Sequence, residues 1–252
     1  MAERKSSDKD TEEVMVYDRC KSLADSDAQK ALASATQWRK TGGGYPAEHC
    51  EALALFNLGR YDEAAQRFHE TATGAAGDAP ALRADRFEQA GEAWMAANHY
   101  DKAKVEFDAA LLLMPKDVEV LIDRAQANGL AQNYWAAIDD LNAALDIEPN
   151  RADALVLRAS AYRRVEGYEL ALEDISRALK MDAQSADAYL ERGDLLIAKG
   201  DAIGARQDWL KVIDLAPNSK VAEAAQQNLA QLDTVQKSAG TAAPDQPAPT
   251  TK

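Results

Sequence analysis

Small and large apolar residues recur along this chain at an interval of 34 positions, separated by polar stretches. In units counted from Ala84, Val118, Ala152 and Ala186, the eighth position is Gly91, Ala125, Ala159 and Gly193. The twentieth is Ala103, Ala137, Ala171 and Ala205; the twenty-fourth is Phe107, Leu141, Ile175 and Trp209. Alanine or valine fills the twenty-seventh: Ala110, Ala144, Ala178 and Val212. Tyr100, Tyr134 and Tyr168 mark the middle of three units, with Ala202 in the fourth, and Pro115, Pro149 and Pro217 close units on the same grid, where Ala183 takes the remaining place. Small residues let two helices approach while a large one fills the groove between them, so each unit predicts a helix of about 14 residues, a short turn and a second, antiparallel helix. Asp117, Asn150 and Ser185 stand where the following helices need an N-cap. An earlier unit at 45–78 carries Ala52, Leu55, Tyr61, Asp62, Glu63, Ala64 and Phe68 at equivalent places. The segment TATGAAGDAP then stretches the step to 39 residues, and its composition predicts a lengthened loop.

Outside the grid the elements change. Residues 12–44 predict a helical hairpin closed by Gly42, Gly43 and Gly44, a helix stop and joint that lacks the lysine and hydroxyl of a phosphate-binding loop. Residues 220–235 predict a helix that covers the end of the stack. The polar residues 1–11 and the Ala-, Pro- and Thr-rich stretch 236–252 cannot bury apolar area and are expected to be disordered.

The period, the small–small–aromatic–proline pattern, and the segments GRYDEAAQRF and NHYDKAKVEF resemble the tetratricopeptide repeat family over five repeats, 45–78, 84–117, 118–151, 152–185 and 186–219. The resemblance implies an all-α, right-handed α-solenoid of helix-turn-helix repeats with a C-terminal capping helix. It also implies a concave face, lined by the first helix of each repeat, that holds a segment of a protein partner. On the family's pattern the lining residues are His49, Leu53, Phe56, Glu88, Glu92, Met95, Ile122, Gln126, Leu130, Val156, Ser160, Arg163, Arg164, Leu190, Asp194 and Ile197. Ile122, Val156 and Leu190 form an apolar track, and Arg163 and Arg164 interrupt the acidity and could receive a partner's carboxylate. The lysine and asparagine set by which chaperone-binding members clamp a terminal carboxylate is missing. Asp85, Glu119, Asp153 and Asp187 form an acidic rim, either a docking edge for a basic ligand or, the reading favoured here, carboxylates at the positive ends of their own helices.

Charge refines the picture. The net charge is -13, of which residues 84–219 carry -10, so the acidity belongs to the repeats and argues against nucleic acid as a partner. Within repeats, Arg124, Arg158 and Arg192 recur sixteen residues before Asp140, Asp174 and Asp208, while Glu51 and Arg67 reverse the signs and Ala90 leaves Glu106 without a mate. The alternation predicts ion pairs across each hairpin.

Candidate chemistry is sparse. His49, His69 and His99 share no helix face with a ligand cluster, no metal or cofactor is implied, and no nucleophile or nucleotide motif occurs, so no enzymatic activity is expected. No apolar run is long enough to span a membrane. Cys20 and Cys50 lie in helices that neighbour each other in the expected stack, as a disulfide or as two buried thiols. A disulfide would fit a mature chain in an oxidising compartment such as a bacterial periplasm, whereas the lack of a signal peptide in this chain reads as cytoplasmic. The N-terminal segment resembles those of some exported bacterial members of the family. Trp94 and Trp209 occupy packing positions; Trp135 either contacts a partner or covers an inter-repeat turn. The expected function is a non-catalytic adaptor for another protein or peptide, apolar with some basic residues. The alternative is a structural, self-associating component of a cell-envelope assembly.

Overall fold

The computed structural model describes residues 2–74 and 77–241; within them are thirteen helices and no strand. The chain divides into two compact units, residues 1–149 and 150–252. The first holds α1 (Ala2–Ser26), α2 (Ala28–Lys40), α3 (Gly44–Asn57), α4 (Tyr61–Gly74), α5 (Pro80–Ala96), α6 (Tyr100–Leu113), α7 (Val118–Leu130) and α8 (Tyr134–Ile147). The second holds α9 (Ala152–Arg164), α10 (Tyr168–Met181), α11 (Ala186–Ala198), α12 (Ala202–Leu215) and α13 (Lys220–Thr241). Three repeats, α3–α4, α5–α6 and α7–α8, lie in the first unit; α9–α10 and α11–α12 lie in the second.

The grid residues form the seam of each hairpin. Ala103, Ala137, Ala171 and Ala205 are buried, as are Phe107, Leu141, Ile175 and Trp209 across from the small eighth position. A methyl group on Gly193 would lie 2.6 Å from the Trp209 indole nitrogen, and one on Gly91 would collide with the Phe107 ring. Glycine accompanies the rings of Phe107 and Trp209, alanine (Ala125, Ala159) accompanies the smaller Leu141 and Ile175, and in the first repeat Ala52 stands opposite Phe68.

Each first helix ends in the same bonded turn. The amide N–H groups of Arg60, His99, Asn133, Gly167 and Asp201 donate back to the carbonyls of Leu55, Trp94, Asn128, Tyr162 and Leu196 at 2.8–3.0 Å. This closure requires a left-handed residue one position earlier. Gly59 and Gly200 supply it without strain, whereas Asn98, Gln132 and Glu166 adopt φ of 60–64°.

The ion pairs of the hairpins are present. Arg158 donates to both oxygens of Asp174 at 2.8 and 2.7 Å, and Arg192 to both of Asp208 at 2.7 Å. Arg124 binds Asp140 at 3.0 and 2.5 Å while its Nη1 reaches Asp108 at 2.7 Å. Glu51, with the signs reversed, lies 3.4 Å from Arg67 and 2.9 Å from Arg39 of α2. Glu106, whose own repeat supplies only Ala90, is met by His69 of the preceding repeat at 2.9 Å.

Several boundaries differ from expectation. α1 begins at Ala2, inside the stretch expected to be disordered; it lacks Gly and Pro, and adding residues to a helix already nucleated costs little. The insertion adds a turn to α5, which is 17 residues long against 13 for α7, with Pro80 in its first turn. Asp117 and Ser185 cap α7 and α11, but at α9 the cap position falls to Arg151 rather than Asn150, with no side-chain cap bond. α13 continues to Thr241, beyond residue 235; the remainder of the expected disordered tail, 242–252, lies outside the described residues, as does Met1.

α13 starts on the grid, since Lys220 is the next point after Ala186, and the Ser219 hydroxyl accepts from the Ala222 amide at 3.2 Å. It is the first helix of a sixth repeat, packed on α11 and α12 through Ala225 and Leu232 against Trp209 and Val212. At the other end, the sulfurs of Cys20 in α1 and Cys50 in α3 are joined, with Cα atoms 6.1 Å apart and both residues buried.

Candidate functional site

In the first unit the first-helix positions belong to α1, α3, α5 and α7. His49 is half-buried on α3 and links its neighbours on both sides. A Gln89 carbonyl oxygen 2.6 Å from Nε2 can only accept, so Nε2 carries the proton and Nδ1 accepts from the Tyr17 hydroxyl at 2.5 Å. Burial lowers the His49 pKa below the usual imidazole value, in keeping with a neutral ring. Leu53 packs with Leu23 and Ala24 of α1, and Phe56 stands edge-on to Tyr61 at 5.2 Å. These three positions are largely occupied by the chain itself.

The next two repeats are more open. Glu88 and Glu92 of α5 and Asp123 of α7 are carboxylates with no basic partner among the described residues. Burial raises Glu88 to about 7, with Asp123 the largest contributing charge. Burial likewise raises Asp123 to about 7, helped by Glu92 and Glu119. Glu92 shifts upward for the same reason, with Asp85 contributing. Gln126 and Leu130 are exposed and Met95 is half-buried, so apolar surface lies beside the acids.

In the second unit α9, α11 and α13 supply the positions. Arg163 is held by Glu191, Nε to Oε1 at 2.5 Å and Nη2 to Oε2 at 3.1 Å, and Glu191 also bonds Ser160. Asp194 accepts from the Trp209 indole at 3.0 Å and from Asn228 of α13 at 2.7 Å, while its second oxygen lies 3.6 Å from Arg163. A recess of about 310 Å³ opens between Arg163, Asp194, Ile197, Trp209, Asn228 and Leu232. Arg164 is exposed and does not line the recess.

Two expectations need correction. Ile122, Val156 and Leu190 do not form an open strip: Ile122 is 3% exposed, Val156 packs against Ala159, Ile175 and Leu195, and Leu190 against Trp209 and Val212. Apolar residues at that position serve helix packing, and the two polar residues there are His49, which is bonded on both sides, and Glu88. Arg163 is not a free receptor for a partner's carboxylate, because Glu191, buried one turn away on the neighbouring first helix, already takes it in bidentate fashion. Asp123, Glu191 and Asn228 were absent from the sequence-derived set. Spacing could have found Asn228, which falls 34 residues after Asp194. Of the acidic rim, Asp153 is bound by its neighbour Arg151 at 3.1 and 2.8 Å. Trp94 and Trp209 are core, and Trp135 is 66% exposed on the first turn of α8. Among the described residues no group of His, Cys, Asp or Glu is arranged to hold a metal, and no helix is long and apolar enough to cross a membrane.

Comparison with protein-family models and with curated proteins gave no match. Solved structures do match. A tetratricopeptide repeat protein from Parabacteroides merdae superimposes with a TM-score of 0.62 at 19% identity, over 84% of this chain and 83% of that one. The chain has the tetratricopeptide-repeat fold. MamA from Desulfovibrio magneticus RS-1, residue 41 to its end, gives a TM-score of 0.58 at 22% identity over 73% of this chain and 97% of that one. YrrB, described as a tetratricopeptide protein with an unusual peptide-binding site, gives 0.55 at 17% identity over 76% and 96%. These likenesses carry the tetratricopeptide fold and leave the ligand to the residues of this chain.

Proposed function

We propose that this tetratricopeptide-fold protein is a non-catalytic adaptor that binds a segment of another protein on its first-helix faces, and that the segment carries basic residues beside apolar ones. One contrast supports the reading. The carboxylates sandwiched in the hairpins, Asp140, Asp174 and Asp208, each hold an arginine, whereas Glu88, Glu92 and Asp123 on the first-helix face hold none among the described residues and repel one another. Unpaired, partly desolvated like charges cost stability, and such costs concentrate at working surfaces. A basic side chain laid between them would recover that cost, and Met95 and Leu130 offer apolar contact nearby. The peptide-binding site attributed to YrrB is a precedent for the fold in this role.

The test is selection from a random peptide display library on the immobilised full chain. Wild type is expected to enrich peptides with lysine or arginine next to apolar residues. The triple variant Glu88→Gln, Glu92→Gln, Asp123→Asn should lose the basic preference while remaining folded. Identical selections from both proteins would sink the reading.

A further inference from the structure

The recess of the second unit has a mixed lining that says what fits it. Its walls are mostly apolar: Ile197 of α11, the Trp209 ring, and Leu232 and Val235 of α13, with Gln231 of α13 beside them. Its volume of about 310 Å³ equals roughly ten waters, enough for one long side chain and little more. Its polar edge is fixed by the chemistry of its hydrogen bonds. A carboxylate only accepts, so the Asn228 group that meets Asp194 at 2.7 Å is its NH₂, and the amide oxygen of Asn228 is left as an acceptor. Oδ1 of Asp194 takes both the Trp209 and Asn228 donors; Oδ2 takes no hydrogen bond, Arg163 being 3.6 Å away. Arg163, the one cation lining the recess among the described residues, is already neutralised by Glu191. With Asp194 and Glu191 against Arg163, the edge has a net negative charge and a spare acceptor pair.

We infer that this recess is a socket for one arginine or lysine side chain of the partner segment, its stem lying on Ile197, Leu232 and Val235 and its head at Asp194 Oδ2 and the Asn228 amide oxygen. The inference rests on the reading that first-helix faces receive a partner segment, and it adds a subsite and a side chain to that reading. The site exists because α13 keeps the 34-residue register: as a half repeat, it brings Asn228 and Leu232 to the positions that Asp194 and Ala198 hold on α11. Burial pushes the Asp194 carboxyl upward, a cost that an incoming cation would relieve.

Four capped amino-acid amides serve as probes on the full-length protein at constant ionic strength: those of arginine, its neutral isostere citrulline, norleucine and glutamate. The readout is the Trp209 indole N–H resonance, since that proton is bonded to Asp194. The arginine amide is expected to shift it saturably, with a dissociation constant on the order of millimolar, and citrulline to bind at least about tenfold more weakly. Asp194→Asn preserves an acceptor for Trp209 and Asn228 and should abolish the arginine response with an unchanged melting temperature. Equal binding of citrulline or norleucine would overturn the proposal in favour of an apolar pocket. Preferential binding of glutamate would overturn it in favour of an anion site at Arg163, and so would no response to arginine at all. The triple variant of Glu88, Glu92 and Asp123 should respond to arginine like wild type. Loss of peptide selection with an intact socket, or the reverse, therefore separates the two readings.

Discussion

Single residues carry most of the precision in the seam and the turns. Gly193 exists for Trp209: the space a methyl would need is filled by the indole. Gly193→Ala should therefore cost about 1–3 kcal/mol in urea unfolding, the range for overpacking a tight core. Glu166 shows the opposite case, an ordinary side chain held at φ 61° where Gly59 and Gly200 stand in other repeats. Relief of a left-handed conformation favours Gly by about 1 kcal/mol, so Glu166→Gly should raise the denaturation midpoint. Both residues lie on the 34-residue grid, and comparison of copies within one chain exposed the seam partners. The backbone conformation was not legible, because a left-handed residue leaves a sequence mark only where it is Gly or Asn.

At the scale of elements, two devices tie helices together. Arg158 and Asp174 hold α9 to α10 by two bonds, with Asp174 only 2% exposed. Arg158→Met leaves that carboxylate buried without its partner and should cost about 3–5 kcal/mol; adding Asp174→Leu should recover most of the loss, since an apolar pair of similar volume replaces a buried ion pair at little cost. An unfolding experiment in which the double variant is no better than the single would refute the argument. Cys20 and Cys50 close a loop of 30 residues between α1 and α3, worth about 3–4 kcal/mol in the chain-entropy model. Dithiothreitol should lower the stability of the first unit by that amount and leave Cys20→Ser, Cys50→Ser unaffected. The hairpin pairs were readable because charge alternated in register. The Glu106–His69 contact was not, because it joins two repeats through a residue with no counterpart in the others.

For the whole molecule, the unpaired acids make stability depend on pH in a definite direction. Glu88 and Asp123 titrate at about 7 in the fold and near 4 when unfolded. Between those values the folded chain binds more protons, so their contribution to stability declines as pH rises from about 4 to 7 and is fully unfavourable above that. Neutral His49, with its lowered pKa, acts oppositely, its contribution being lost as pH falls below about 6.5. Glu88→Gln, Asp123→Asn isolates the acids: the double variant should exceed wild type in melting temperature at pH 8, with the difference vanishing near pH 4. A constant difference across that range would show that the carboxylates do not titrate as described. The sequence by itself determined the helix pairs and the seam, because a 34-residue period forces the same packing problem to be solved in each copy. Tertiary structure decided what the first-helix faces present. A residue at a lining position is buried, bonded or open according to what the neighbouring helix places beside it: Arg163 is taken by Glu191, Ile122 is covered, and Glu88 feels the charge of Asp123. It also decided that α13 is half a repeat, since only packing on α11 and α12 turns Asn228 and Leu232 from residues of a terminal helix into walls of a recess.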